Sequence, residues 1–197
     1  QDADLASVYP IARASAPPLV TFGAAVFARE IPNAYGLAGI AVVSLGLMAL
    51  VIGASRPDLK STLAALISGV FIASYMVVDG LGVRVSERAI SYAAWQAVTA
   101  GCLIPLSFVI IRRRAPALPQ GKDGFRVVVA GILSTLGYCI AVWAMSLTSM
   151  GGVSAIRETS ILFAALIGIL VLHERMTASK VIGAIAVTFG VICLSIS

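Results

Sequence analysis

Four ionisable residues lie inside long apolar stretches of the sequence, where a charge is costly: Arg13, Asp79, Arg157 and Glu158. The guanidinium groups of Arg13 and Arg157 could bind a carboxylate, a phosphate or a phosphonate bidentately. Glu158 could bind an ammonium group or carry a coupling proton. Asp79 opens the run Asp79-Gly-Leu-Gly-Val-Arg84, which could form a gating turn. Charged groups of this kind in apolar surroundings predict a binding site for a small polar molecule.

Each of these residues also has a purely structural interpretation. Arg13 and Arg157 lie about six or seven residues from the start of their apolar stretches, a depth of roughly 9–10 Å from which arginine can reach the interface. Glu158 points about 100° away from Arg157 on a helix, so it could pair with an arginine of another helix. Asp79 could belong to a glycine-terminated helix whose end Arg84 neutralises. The sequence leaves both interpretations open.

Three aromatic residues lie away from the ends of the apolar stretches: Tyr75, Trp95 and Trp143. Aromatic rings in membrane proteins occupy either the interface belt or a cavity wall. We expect these three to line the cavity beside the charged residues.

The composition indicates what surrounds these groups. The chain has 197 residues, of which 59% are hydrophobic and 12% charged, whereas about 25% are charged in soluble domains. So much apolar surface cannot be buried in one soluble core of this size, so we predict an all-α, polytopic helical membrane protein. Seven apolar stretches are long enough to cross about 30 Å of hydrocarbon; they lie near residues 7–28, 33–53, 61–82, 89–111, 125–148, 151–172 and 178–197.

Several classes of function lack support in the sequence. The net charge is +5, but no basic stretch is interleaved with aromatic residues, so we expect no nucleic-acid partner. Three cysteines without a CxxC pair and a single histidine predict neither a metal site nor another cofactor. Walker A, GxSxG and HExxH motifs are absent, which disfavours an ATP-driven pump and the common hydrolases. We therefore do not expect an enzyme.

An internal repeat connects the two ends of the chain. Residues 7–50 align with 151–194 at an offset of 144 without a gap. A unit of this length makes 54–197 a complete five-span repeat and 1–53 the last two spans of a preceding one. It predicts three further spans, about 91 residues (144 − 53), before residue 1. An odd number of spans per unit forces the two units to insert in opposite orientations. The matched pairs are Arg13 with Arg157, Glu30 with Glu174, Gly39 with Gly183 and Gly46 with Gly190.

The repeated glutamates and glycines have structural interpretations. Glu30 and Glu174 lie between paired spans, where we expect each to cap the positive N-terminus of the next helix. The glycines recur every seven residues on nearly one helix face, which allows close helix packing. That packing could occur within the chain or in a homodimer.

Two regions resemble the EamA domain of the drug/metabolite transporter superfamily. The first is Gly152-Val-Ser-Ala-Ile-Arg-Glu-Thr-Ser-Ile-Leu-Phe-Ala-Ala-Leu-Ile-Gly, followed by Leu172-His-Glu-Arg-Met-Thr. The second is Tyr9-Pro-Ile-Ala-Arg-Ala-Ser-Ala-Pro-Pro-Leu, followed by Arg29-Glu30. The resemblance implies a ten-helix protein built from two five-helix repeats that moves metabolites, amino acids or drugs. The chain departs from this pattern in holding seven helices, and in having Ile161 where a proline, matching Pro17, is common.

The resulting hypothesis is a multi-pass secondary transporter of the cell (inner) membrane. It would work by alternating access and export a small amphipathic or anionic metabolite, an amino acid or a drug-like compound, with the lipid bilayer as its other partner. The alternative is a membrane interaction or assembly protein that transports nothing. An intramembrane enzyme is disfavoured because the sequence has almost no histidine and no paired carboxylate motif.

The orientation predicted from charge conflicts with that implied by the resemblance. Basic residues on one side of the spans number nine and on the other three, so the positive-inside rule places the C-terminus outside. The resemblance implies a C-terminus inside. The nine are Arg56, Lys60, Arg112, Arg113, Arg114, Lys122, Arg126, Arg175 and Lys180, and the three are Arg29, Arg84 and Arg88.

Overall fold

The computed structural model describes residues 5–52, 59–86, 88–114, 120–172 and 178–196. Within these ranges the chain forms α-helices joined by short turns and contains no strand, which confirms the all-α fold class. Every end of a predicted span lies within four residues of a helix end. The sixth span is divided into two helices. The helices are α1 (Leu5–Ala28), α2 (Ala34–Ile52), α3 (Leu59–Val85), α4 (Ala89–Arg112), α5 (Gly121–Met145), α6 (Met150–Arg157), α7 (Ser160–Leu172) and α8 (Ala178–Ser195).

Several of these helices have the length and composition of membrane spans. Four contain a sufficiently long apolar window, namely Ile11–Ala28 in α1, Leu59–Val85, Ala89–Arg112 and Gly121–Met145. Shorter apolar segments lie in α2 and α8. Large apolar side chains such as Val98, Leu106 and Ile110 of α4 are exposed. In a bilayer such side chains face lipid rather than water.

The chain divides into two compact units, and the division falls inside α3. Residues 1–78 and 148–197 form the first unit, and residues 79–147 form the second. The short helix α6 lies in the core of the first unit, where residues 150–155 are all buried. Contacts of α6 with α1, α2 and α8 hold it there.

Within the first unit, α2 and α8 pack antiparallel through their glycines. A Cβ atom added to Gly39 would lie 2.8 Å from the carbonyl oxygen of Gly190, and one added to Gly46 would lie 3.0 Å from that of Gly183. Only glycine permits backbones to approach this closely. These glycines were predicted to pack either within the chain or in a homodimer, and the structure shows packing within the chain.

The α2–α8 contact has the symmetry of the sequence repeat. At the offset of 144, Gly39 matches Gly183 and Gly46 matches Gly190. Replacing each residue of the contact 39–190 by its match therefore gives the other contact, 46–183. The side chains follow the same rule: Gly46 faces Val187, and Gly190 faces Val43, the match of Val187. A self-complementary contact between related elements is what a two-fold axis produces.

The turn between α1 and α2 corrects one prediction. Arg29 closes α1 in the left-handed conformation (φ 53°), and the Glu30 N–H donates to the Ala24 carbonyl at 3.2 Å. Asn33 caps α2, since its Oδ1 accepts from the Gly36 N–H at 2.8 Å. The prediction that Glu30 caps the next helix was therefore wrong.

Glu30 instead caps a helix that is remote in sequence. Its Oε1 accepts from the Met150 N–H, the first residue of α6, at 2.8 Å. Ser149 provides a second cap through a bond of 3.2 Å from the Gly152 N–H to its Oγ. The buried N-terminus of α6 thus has acceptors for its unpaired N–H groups. The repeat mate, Glu174, lies outside the described residues.

Candidate functional site

The sixth predicted span is interrupted at Glu158 and Thr159. The Thr159 N–H donates to the Ile156 carbonyl at 3.0 Å, and the Ile161 N–H donates to the Glu158 carbonyl at 3.1 Å. These three-residue hydrogen bonds replace the four-residue bonds of an α-helix, so α6 ends in a tight turn before α7 begins. Broken helices at membrane depth occur where protein or a water-filled cavity surrounds the backbone. The interruption therefore marks a candidate site.

A buried ion pair lies at this interruption. Arg13 of α1 donates from Nη1 to both carboxylate oxygens of Glu158, at 2.9 Å to Oε1 and 3.1 Å to Oε2. The Glu158 side chain is 1% exposed and that of Arg13 is 21% exposed. A carboxylate so deeply buried requires a compensating cation. Of the two interpretations of Glu158, the structure contains the pairing with an arginine of another helix.

The backbone of α1 is weakened next to Arg13. Pro17 and Pro18 have no N–H, so α1 lacks the helical hydrogen bonds that would reach the carbonyls of residues 13 and 14. The helix nevertheless continues to Ala28. One turn after Pro17, the Thr21 hydroxyl donates to the Pro17 carbonyl at 2.8 Å. Each partner of the ion pair therefore lies next to a place where the hydrogen bonding of its helix is irregular.

These two irregularities occupy matching positions of the repeat. Subtracting 144 from the interrupted residues 158–159 gives residues 14–15, which Ala16 alone separates from the two prolines of α1. The helices α1 and α6 are also in contact. Two helix segments in contact thus both depart from regular α-helical hydrogen bonding near positions that the sequence offset of 144 relates.

Neighbouring polar and small residues fix the position of the ion pair. Ser154, one turn before Glu158, is fully buried and donates from Oγ to the Met76 sulfur of α3 at 3.7 Å. Ser15 of α1 lies against Gly69 of α3, where an added Cβ would also lie 3.1 Å from the Ala12 carbonyl oxygen. Both helices that carry the ion pair are therefore packed against α3.

The substrate-binding roles predicted for Arg157 and Tyr75 stay predictions. Arg157 is the last residue of α6 and is half-buried directly before Glu158. Tyr75 of α3 has 41% of its surface exposed.

An apolar groove of about 330 Å³ runs along α1 and α2 beside the proline pair, lined in part by Pro18, Thr21 and Ile40.

A second polar cluster lies in the other unit. Asp79 of α3, 6% exposed, accepts from the Tyr92 hydroxyl of α4 at Oδ1 (3.1 Å) and from the Tyr138 hydroxyl of α5 at Oδ2. From the sequence, Tyr92 and Tyr138 were aromatic residues of either the interface belt or a cavity wall, and neither was predicted to bind Asp79. The glycine spacing after Asp79 was the available signal: a Cβ added to Gly82 would lie 2.6 Å from the Tyr92 ring.

The structure corrects both interpretations of the run from Asp79 to Arg84. The helix α3 continues to Val85, so Asp79 lies inside the helix, and neither a gating turn nor a glycine terminus occurs there. Arg84 donates from Nε to the Met145 carbonyl at 3.0 Å and so binds the end of α5. Hydroxyl groups of tyrosine, rather than the expected Arg84, are the hydrogen-bond donors to Asp79.

The two tryptophans of the chain also belong to the second unit. Trp95 of α4 is 73% exposed and Trp143 of α5 is 49% exposed. Both side chains are therefore largely exposed. Their assignment to a cavity wall stays a prediction.

One family of known proteins matches the chain. The EamA-like transporter family matches residues 59–196, which is more than half of the chain and extends from α3 to α8. The matched region contains every candidate site residue except Arg13. No curated protein matches the chain closely enough to be named as a relative.

Proposed function

Because the chain belongs to the EamA-like transporter family, we propose that it is a secondary transporter that exports a small metabolite, amino acid or drug-like compound by alternating access. The observation that carries this proposal is the buried Arg13–Glu158 pair at the break between α6 and α7. Discontinuous helices form substrate sites in many secondary transporters, because their termini and released backbone groups face the substrate. The proposed location is the cell (inner) membrane.

The symmetry of the first unit supports alternating access. We assign residues 1–53 to the last two helices of a first repeat and residues 54–197 to a complete second repeat. The self-complementary α2–α8 contact is what this assignment requires, since α2 and α8 are then the last helices of the two repeats. Inverted repeats interconvert two membrane-facing states by exchanging conformations.

The ion pair favours a substrate that carries both charges. A substrate carboxylate that binds Arg13 must displace Glu158, which would leave a buried carboxylate without its cation. A zwitterion avoids this cost, because its carboxylate replaces Glu158 at Arg13 while its ammonium group replaces Arg13 at Glu158. Arg157, adjacent to Glu158, supplies a second guanidinium to the substrate carboxylate.

The aromatic residues and Asp79 complete the proposed site. Tyr75, Trp95 and Trp143 would contact the apolar part of the substrate in the occluded state. Asp79 would act in gating, since its bonds to Tyr92 and Tyr138 join α3 to α4 and α5.

The test compares three related compounds in proteoliposomes that contain the full chain. Leucine carries both charges, leucinamide only the positive charge, and 4-methylpentanoate only the negative charge. After subtraction of the rates in protein-free liposomes, we expect protein-dependent transport of leucine to be at least about tenfold faster than that of either analogue, because only leucine leaves no buried charge unpaired. Equal rates for the three compounds would contradict the zwitterion assignment.

Variants test the residues themselves. Arg13→Ala and Glu158→Gln should each reduce leucine transport at least about tenfold. Arg126→Ala is the matched control, because Arg126 forms an exposed ion pair with Asp123 at 3.1 Å and should transport like wild type. Wild-type rates in Arg13→Ala would exclude the ion pair from the binding site.

A further inference from the structure

The cluster around Asp79 holds a carboxylate in a geometry suited to its ionised form. Each of its two oxygens accepts one hydroxyl hydrogen, from Tyr92 and from Tyr138. An ionised carboxylate accepts at both oxygens, whereas a protonated one must donate from one of them. Asp79 is 6% exposed, so water does not replace these donors.

The cluster also joins three helices at one point. Asp79 lies on α3, Tyr92 on α4 and Tyr138 on α5, so two hydroxyl bonds hold α4 and α5 to α3. Gly82, one turn after Asp79, admits the Tyr92 ring against the α3 backbone. The charged residue Arg84 of the same helix donates from Nε to the Met145 carbonyl.

We propose that Asp79, Tyr92 and Tyr138 form a proton-binding site whose occupancy controls the packing of α4 and α5 on α3. When a proton from water binds a carboxylate oxygen of Asp79, that oxygen becomes a donor, and its hydrogen bond with the tyrosine hydroxyl must reverse, so that the tyrosine oxygen accepts and the bond is no longer charge-assisted. The remaining hydroxyl bond weakens because its acceptor is now neutral. Release of the proton restores both bonds and closes the three helices together.

The distance from Asp79 to the end of α3 is short. Asp79 lies six residues before Val85, the last residue of α3, a distance of roughly 9 Å along the helix axis. We expect protons to reach and leave Asp79 from that end of α3. The use of this proton to drive transport rests on the proposed function, but proton binding itself does not.

The two tryptophans provide a direct readout. They are the only tryptophans of the chain, and they follow Tyr92 and Tyr138 by three and five residues on the same helices. In full-length protein in lipid nanodiscs, we expect tryptophan emission to change in one sigmoidal step between acidic and alkaline pH. Asp79→Asn should remove that step, whereas Asp123→Asn, an exposed aspartate of α5, should retain it.

A second variant tests the tyrosines without removing the carboxylate. Tyr138→Phe deletes one donor to the ionised form, so the fluorescence step should move by about one pH unit towards alkaline pH. This variant also decides the matter if Asp79→Asn fails to fold. A step that persists in Asp79→Asn, or one that does not move in Tyr138→Phe, would overturn the proposal.

Comparison with the transport assay separates the two proposals. If the step depends on Asp79 but leucine is not transported, the proton site stands and the proposed substrate fails. If leucine is transported and the step does not depend on Asp79, the proton site is wrong and the proposed function stands.

Discussion

At the scale of single residues, the Arg13–Glu158 pair has a structural requirement that limits its proposed function. The carboxylate of Glu158 is buried, and Arg13 contacts both of its oxygens. Two charges removed from water are stable only while both partners remain. Any substrate that enters this site must therefore supply charges that replace the ones it separates.

Glu158→Gln should destabilise the protein by about 3–5 kcal/mol, because it leaves the Arg13 guanidinium without its carboxylate partner. The double variant Arg13→Met with Glu158→Leu should recover most of that loss, since it removes both charges. Thermal unfolding in detergent, followed by tryptophan emission, measures the difference. The exposed Asp123–Arg126 pair provides the control, and Asp123→Asn should change stability little.

Gly82→Ala should destabilise the second unit by about 1–3 kcal/mol, because its Cβ would meet the Tyr92 ring at 2.6 Å. The ring must then move away from α3, which breaks its hydroxyl bond to Asp79. Gly101→Ala on α4 is the matched control, since nothing lies within 4 Å of an added Cβ there. Equal unfolding temperatures for the two variants would contradict this account of Gly82.

At the scale of the helices, α6 depends on acceptors supplied from outside its own sequence. Glu30 binds the Met150 N–H from the turn after α1, and Ser149 binds the Gly152 N–H. An eight-residue helix has few internal hydrogen bonds, so its termini contribute a large share of its stability.

Glu30→Ala and Ser149→Ala should each destabilise the start of α6 by about 1 kcal/mol. Hydrogen exchange at the amides of Met150 and Gly152 should accelerate in the corresponding variant. Asn33→Ala is the matched control, because Asn33 caps α2 through Gly36 and its loss should accelerate exchange only there. Unchanged exchange at Met150 in Glu30→Ala would show that the carboxylate does not cap α6.

The sequence predicted helix positions better than helix partners. Apolar length predicted the spans, and even the divided helices α6 and α7 together match the span predicted at residues 151–172 to within one residue. The interruption was not predicted, because apolar residues such as Ile156 and Ile161 continue on both sides of Glu158. The partner of Glu30 was missed for a related reason: Met150 is 120 residues away, and no local pattern encodes that contact.

The ionisable site residues could be found because charges are rare in apolar stretches. Their partners could not, since a carboxylate accepts equally from arginine and from tyrosine. Arg84 was the nearest charge to Asp79 in sequence, yet the tyrosines of α4 and α5 lie closer in space. The ionisable residues were identified because charges are rare in apolar stretches, whereas the partner of each one is determined by tertiary packing.

At the scale of the whole molecule, the α2–α8 contact joins the two proposed repeats. Gly39 and Gly190 approach so closely that neither position has space for a side chain. Gly39→Leu or Gly190→Leu should separate α2 from α8 and reduce both folded yield and leucine transport at least about tenfold.

The control for this contact lies on α5. Nothing lies within 4 Å of an added Cβ at Gly131, so Gly131→Leu should fold and transport like wild type. Size-exclusion chromatography and the proteoliposome assay measure the two properties. Normal behaviour of Gly39→Leu in both would show that the glycine contact is dispensable.

The self-complementary pairing of Gly39 with Gly190 and of Gly46 with Gly183 also constrains how the proposed transporter moves. In the proposed two-repeat protein, a rotation by half a turn that exchanges the repeats would map this contact onto itself, so the contact would lie on the rotation axis. When the repeats trade conformations, atoms far from that axis are displaced most and atoms on it least. The glycine crossing would then stay in place while the rest of the proposed transporter moves, and it would keep the same geometry in the inward-open and the outward-open states.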